Sequence, residues 1–181
     1  MQAHKQVAGN ESRGVWRFDP SHSIVEFSVR NLFFTVKGKL STLEGAIILD
    51  DNDITRSSVT ASIRANSIDT GLRRRDAHLR ASDFLDASNH PLIHFESSSV
   101  GPGRDRDLIS VKGVLSIRGK SSEVELEVSE VDRSRSPRGE MVIYYCATTE
   151  IDRSRFGINY GLGVIGRKLK VAINIQASKE E

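Results

Sequence analysis

Apolar and polar residues alternate along most of the chain from Trp16 onward, and long stretches with the 3.6-residue period of a helix are almost absent. In residues 123–128, carboxylates occupy every second position and aliphatic side chains occupy the others. Residues 168–175 repeat this pattern with lysines on the polar side. Because successive side chains of a strand point to opposite faces, the spacing predicts antiparallel strands with one face in the core.

Eight further strands are predicted, and turn residues such as Gly, Pro, Asn and Asp separate most of them. The pattern therefore indicates an all-β domain, and eight to ten short strands suit either a barrel or a sandwich. Periodicity alone leaves both open. The further strands lie near residues 16–18, 24–30, 36–40, 45–49, 58–66, 93–100, 108–118 and 141–153.

Two segments depart from the alternation. Residues 72–87 are dense in charge and contain helix-favouring residues, which predicts one or two short helices across one end of the β structure. Residues 1–14 are polar and are predicted to be a disordered tail. Residues 15–178 then form one domain, because their length suits a single core and no internal repeat is visible.

Composition excludes several classes of protein. The 26 basic and 24 acidic residues are interspersed, so nothing indicates nucleic-acid binding. No apolar run approaches the roughly 18 residues of a membrane span, and residues 1–14 lack the apolar core of a signal peptide, so a cytoplasmic protein without integral membrane contact is expected. Cys146 is the only cysteine and is expected to be a buried structural thiol.

Motifs for metal binding or catalysis are also weak. His90 and His94 have the spacing of a helical metal site, but Pro91 and the strand-like residues 92–95 predict extended chain there. The two imidazoles would then lie roughly 13 Å apart, since each strand residue rises about 3.3 Å. No metal is expected, and the motifs of common hydrolases, metalloproteases and nucleotide-binding proteins are absent.

Two polar segments have alternative interpretations. His22, in the turn formed by residues 19–23, either satisfies local hydrogen bonds or contacts the polar head of a ligand. Residues 73–80 contain four arginines and are either a solvated helix face or a cationic rim that holds a diphosphate, because guanidinium groups match phosphate oxygens.

Seven segments, taken in order, resemble the YceI-like family of polyisoprenoid-binding proteins, and the resemblance runs from about Trp16 to Ala177. It implies a lipocalin-like antiparallel β-barrel of about eight strands with short helices near one end. Two features differ from the family: Asn31 replaces the usual histidine, and the export signal of many members is missing. The segments are residues 16–23, 25–30, 67–71, 75–87, 91–97, 111–119 and 151–157.

The resemblance implies that the barrel binds or carries an isoprenoid tail without catalysing a reaction and without another cofactor. The ligand would be a quinone or a polyprenyl diphosphate, and a homodimer is plausible. A polar end would use His22, Asp76, His78 and Arg153. The inward positions expected to contact the tail are Phe27, Val29, Phe34, Val36, Ile63, Phe84, Phe95, Leu126 and Val171.

Two other functions compete with this one. The first is an enzyme that uses His22, His78 and Asp76 as general acid and base on an apolar substrate. The second is an interaction module with a solid core, which would contain no cavity. A saturated fatty acid would satisfy the same physics as an isoprenoid, since apolar burial is non-directional.

Overall fold

The computed structural model describes residues 13–181 and confirms the all-β architecture. Most of the predicted tail lies outside the described residues. Its last two residues, Arg13 and Gly14, belong to the first strand, where they pair with Asp50 and Leu49. The backbone partners of these two residues, which the tail prediction did not foresee, are what order them.

All ten predicted strands are present, together with a two-residue strand that the pattern did not indicate. One helix forms in the segment that breaks the alternation, α1 (Arg73–Arg80), and turns follow it. The strands are β1 (Arg13–Phe18), β2 (Ile24–Asn31), β3 (Thr35–Leu40), β4 (Leu43–Asp50), β5 (Ser58–Arg64), β6 (Ile68–Asp69), β7 (Leu92–Pro102), β8 (Ile109–Ile117), β9 (Lys120–Arg135), β10 (Met141–Asp152) and β11 (Ile165–Lys179).

The strands close into an eight-stranded antiparallel barrel. Each of the eight positions around the barrel is called a wall, and three walls consist of two consecutive strands separated by a bend. In these walls β1 continues as β2, β3 as β4, and β5 as β6 after the 3-10 turn Ala65–Ser67. The long strand β11 pairs with β2 along its first part and with β1 along its last, and this pairing closes the barrel. A barrel resolves the alternative that periodicity left open.

The barrel has two different ends. The mouth is formed by the β2–β3 hairpin, by α1 with the turns that follow it, and by the loop between β10 and β11. The opposite end, here named the closed end, contains the start of β1 and the β9–β10 hairpin. Trp16, Ile143 and Ala177 are all at most 2% exposed there, so this end is tightly packed.

The barrel wall has one irregular place, which we call the seam. The ladder between β9 and β10 ends at the pair Thr148–Glu127, although both strands continue toward the mouth. Beyond that pair the Thr149 hydroxyl donates to the carbonyl of Glu125 at 2.7 Å. Phe156, which is 1% exposed and belongs to the 3-10 turn Arg153–Phe156, packs at the seam.

Within residues 13–181 no helix is both long and apolar enough to cross a membrane.

Candidate ligand-binding site

The barrel interior contains a cavity of about 480 Å³. Its volume lies within the range of roughly 300–1,000 Å³ that is usual for small-molecule sites. The cavity exists because the inward side chains of eight strands do not fill the barrel, as in other barrels of this size that hold a ligand. The solid-core interpretation predicted no such space.

Aliphatic and aromatic side chains form almost the whole lining. They come from the inward positions of every wall, where alternation places them. Since β10 is 12 residues long, a strand tilt near 40° gives this wall a height of about 30 Å, and its lining residues run from Tyr145 to Ile151. All nine residues expected to contact an apolar tail lie in this lining: Phe27, Val29, Phe34, Val36, Ile63, Phe84, Phe95, Leu126 and Val171.

Polar side chains enter the lining mainly at the mouth. Asn31 ends β2, Arg75 and His78 lie on α1, and Arg153 and Tyr160 flank the loop before β11. The cavity therefore has an apolar body and a polar entrance, an arrangement suited to an amphiphile that keeps its head near water.

Arg153 organises the entrance. Four of its N–H groups donate to backbone carbonyls, those of Gly166, Ile158, Tyr160 and Ile165, at 2.8–3.0 Å. Its side chain is buried, and desolvation lowers the pKa of the guanidinium from its ordinary value while Asp152 opposes that shift. Arg153 thus fixes the loop and places at the mouth a positive charge that forms no ion pair with another described residue.

His78 lies in an aromatic cluster at the entrance. Its ring packs edge-on against Phe84 and Tyr160, with centroid distances of 5.0 and 4.8 Å. Its Nε2 lies 2.8 Å from an oxygen of Asp83. These contacts fix the ring between α1, the following turns and the loop before β11, so His78 borders the cavity in a defined orientation.

The arginines of residues 73–80 divide into two groups, so neither interpretation of the segment describes all of them. Arg75 donates to the hydroxyl and carbonyl of Thr70, and Arg80 donates to the carbonyls of Asn66 and Ile68. The side chains of Arg73 and Arg74 are exposed and form no hydrogen bond or ion pair with another described residue. Two arginines hold the helix, and two remain available at its start.

Two of the expected polar contacts lie outside the cavity lining. Asp76 is buried and accepts hydrogen bonds from the amide and hydroxyl of Thr70, so its carboxylate ties α1 to β6. His22 lies at the bend between β1 and β2, 2.7 Å from Asp19, with an exposed side chain. This contact lowers the pKa of Asp19. His22 and Asp76 do not meet His78, the third residue of the competing enzyme hypothesis, at the cavity.

The closed end has a different polar group. Arg133 forms a bidentate ion pair with Glu130, contacts Asp51 at 2.9 Å and lies over the ring of Trp16. Tyr145 lines the cavity beside this network, and burial together with the charge of Glu130 raises its pKa. Arg133 is therefore paired with carboxylates of the protein.

Sequence reasoning missed Tyr160 and did not assign Asn31 to the cavity. Tyr160 precedes Gly161 and Gly163, both at positive φ, and alternation does not describe such a loop. The signal that could have indicated Tyr160 is an aromatic residue within the glycine-rich residues 157–163, which connect two predicted strands.

Comparison with known proteins agrees with this architecture. A UPF0312 protein of Pectobacterium atrosepticum is 26% identical over 177 residues, which cover 96% of this chain and 91% of that protein. The crystal structure of Burkholderia cenocepacia BcnA has a TM-score of 0.79 at 19% identity and covers 88% of this chain and 98% of that one.

A second solved structure has a name that bears on ligands. It is described as a polyisoprenoid binding domain from Saccharophagus degradans implicated in plant cell wall breakdown. Its TM-score is 0.69 at 14% identity, and the match covers 91% of this chain and 98% of that one. At these identities both structural matches support the barrel fold. The YceI-like domain itself matches residues 16–177, and with the closed barrel and the relatives above this shows that the chain belongs to the YceI-like family.

Proposed function

We propose that this barrel binds, and carries or stores, an amphiphile with a long isoprenoid tail, such as a quinone or a polyprenyl diphosphate. The observation that carries the proposal is the apolar cavity, about 480 Å³ in volume, with most of its polar side chains at the mouth. Burial of the tail would supply about 25 cal/mol for each Å² of apolar surface removed from water. The Saccharophagus domain, named for polyisoprenoid binding, supports the same class of ligand.

The head of the ligand would lie at the mouth. Arg153 is charged there without an ion pair to another described residue, and Arg75, His78 and Tyr160 present polar atoms around it. An anionic or carbonyl-bearing head gains from this positive potential, because a low-dielectric wall strengthens charge interactions. The tail would extend toward Tyr145 at the closed end.

Binding rather than catalysis is favoured because only one of the three proposed acid and base residues borders the cavity. His78 lies there, while Asp76 is used by Thr70 and His22 lies outside the lining. A general acid and base must both reach the reacting atoms. The expectations of a cytoplasmic location and of a homodimer stay predictions.

The test is mass spectrometry of organic extracts from natively purified protein, with the variant Ala147→Phe as the blocked form. Ala147 is buried at mid-height on the inner face of β10, so a phenyl ring there would fill the cavity. We expect the extract of the unmodified protein to contain a stoichiometric isoprenoid. The blocked variant should retain about tenfold less, equivalent to roughly 1.4 kcal/mol of lost affinity.

The matched control is Thr148→Phe, which adds the same ring to the outer face one residue further along. It should retain the ligand fully. Thermal unfolding of both variants separates blocked binding from misfolding. A lipid-free extract, repeated after incubation with ubiquinone and with a polyprenyl diphosphate, would overturn the proposal, as would equal retention by the two variants.

A further inference from the structure

The mouth has a surface that ligand binding in the cavity does not explain. Seven of the ten large hydrophobic side chains that are exposed on the described structure lie in the three segments around the entrance. Phe33 at the tip of the β2–β3 hairpin is 88% exposed, and its neighbour Leu32 is 64% exposed. We call this set the apolar rim: Leu32, Phe33, Phe34, Leu72, Tyr160, Leu162 and Val164.

The rim is one surface because its segments contact each other. The amide of Leu32 donates to the carbonyl of Val164 at 3.1 Å, which joins the hairpin to the loop before β11. His78 packs against Tyr160 at 4.8 Å, which joins that loop to α1. Clustered exposed apolar groups on a soluble domain mark an interaction site.

The charge around the rim indicates the chemistry of the partner. Residues 27–43, 70–75 and 153–179 contain no Asp or Glu. Arg30, Lys37, Arg73 and Arg74 are exposed beside the rim and form no ion pair with another described residue. The nearby carboxylates already have partners within the chain: Asp69, Asp76, Asp83, Asp86 and Asp152.

Exposed aromatic and leucine side chains flanked by basic residues match a lipid surface, where apolar groups enter the interface and cations meet anionic headgroups. The rim also encircles the cavity entrance, so a docked barrel would face its ligand's source. From this combination we propose that the mouth docks onto an anionic lipid bilayer, with Leu32 and Phe33 inserted in the interface. Docking is separate from cavity binding, since neither side chain lines the cavity.

The experiment is flotation of the full chain with vesicles of phosphatidylcholine alone and of phosphatidylcholine mixed equally with phosphatidylglycerol. We expect the chain to bind the mixed vesicles and bind more weakly as salt is added. The variant Leu32→Ser/Phe33→Ser should lower the partition coefficient at least about tenfold, and Arg73→Gln/Arg74→Gln should lower it by roughly fivefold for each arginine.

Matched controls separate the rim from surface properties in general. Val131→Ser removes a side chain that is 67% exposed on β9. Arg106→Gln/Arg138→Gln changes the net charge equally in loops of the closed end. Both should bind like the unmodified protein.

Three results would overturn docking: no flotation with mixed vesicles, equal flotation of the rim variant, or equal loss in the controls. A dimer in sedimentation equilibrium that the rim substitutions dissociate would instead assign the surface to a second copy of this chain. The rim variant should still yield ligand in organic extracts. If it floats poorly but keeps its ligand, docking is supported; if the unmodified protein floats without ligand, only the cavity proposal fails.

Discussion

The two ends of the barrel each place an arginine at a key position, and the arginines act in opposite ways. At the closed end Arg133 forms ion pairs with Glu130 and Asp51, so carboxylates of the protein neutralise its charge. At the mouth Arg153 donates only to backbone carbonyls, two in its own loop and two at the start of β11. Arg133 stabilises the surface of the closed end. Arg153 orders the mouth and leaves it positively charged.

The surroundings of Arg133 and Arg153 also differ. The closed end packs Trp16 under Arg133 and exposes few large apolar groups, whereas the mouth exposes the apolar rim and unpaired cations. One end is therefore closely packed around an arginine paired with carboxylates, and the other exposes apolar side chains beside cations without an ion pair to a described residue. The following substitutions test that contrast.

Arg153→Met should have the largest effect on stability. Methionine keeps the approximate volume of the side chain but leaves four carbonyls of the mouth without their donor. Because these acceptors have restricted access to water, the free energy of unfolding should fall by about 3 kcal/mol. Chemical denaturation measures the loss, and hydrogen exchange should locate it in residues 158–166. Arg153→Lys, which keeps the charge without the planar fork, should recover only part. If Arg133→Met at the closed end lowered the free energy of unfolding by the same amount, the two arginines would not differ in their contribution to stability.

Arg133→Met should cost less, about 1 kcal/mol, because its ion pairs are partly exposed and such pairs contribute little. The loss should shrink as salt is added, since salt screens these pairs in the unmodified protein. Ligand retention in organic extracts should not change. A larger destabilisation than that of Arg153→Met would reverse the comparison.

Asp152→Asn should have the smallest effect, a slight loss of stability at neutral pH together with a change in the pH dependence of stability. The hydroxyl of Ser154, with further help from its amide and Arg167, lowers the pKa of Asp152 from 3.8 to about 2. A carboxyl with a lowered pKa stabilises the fold above its unfolded value, and this contribution disappears as the pH falls through about 2. The unmodified protein should therefore lose a little stability between about pH 4 and pH 2, and the variant should not.

Carboxyl carbon NMR should show Asp152 titrating near pH 2 in the unmodified protein. A midpoint at its ordinary value would contradict the contact with Ser154.

Much of the fold was predictable because alternation is a local signal. It identified the strands and the inward faces that line the cavity, including those of Leu126 and Val171. It missed β6, which at two residues is too short to show a period. Closure by pairing of β1 with β11 joins opposite ends of the chain, and no local pattern encodes it.

The site was less predictable, because its properties depend on distances between segments. Whether inward side chains leave space is a question of barrel girth rather than of residue type. Arg153 and Asp76 were both expected to face a ligand, and their backbone partners in Gly166 and Thr70 emerge only from the folded loop geometry. Residue type predicted polar chemistry near the mouth but not what each group contacts.

The seam should allow the diameter of the barrel to change near the mouth, which the number of strands alone would not suggest. In a barrel closed by complete ladders, strand number and stagger fix the girth. Near the mouth, however, the span between β9 and β10 is held by side chains, with Phe156 packed in place of the ladder. Side-chain packing deforms more readily than a row of backbone hydrogen bonds. We therefore expect the barrel to open and close along the seam near the mouth. The diameter of the barrel near the mouth should then vary with the thickness of the ligand, while the diameter at the closed end stays constant.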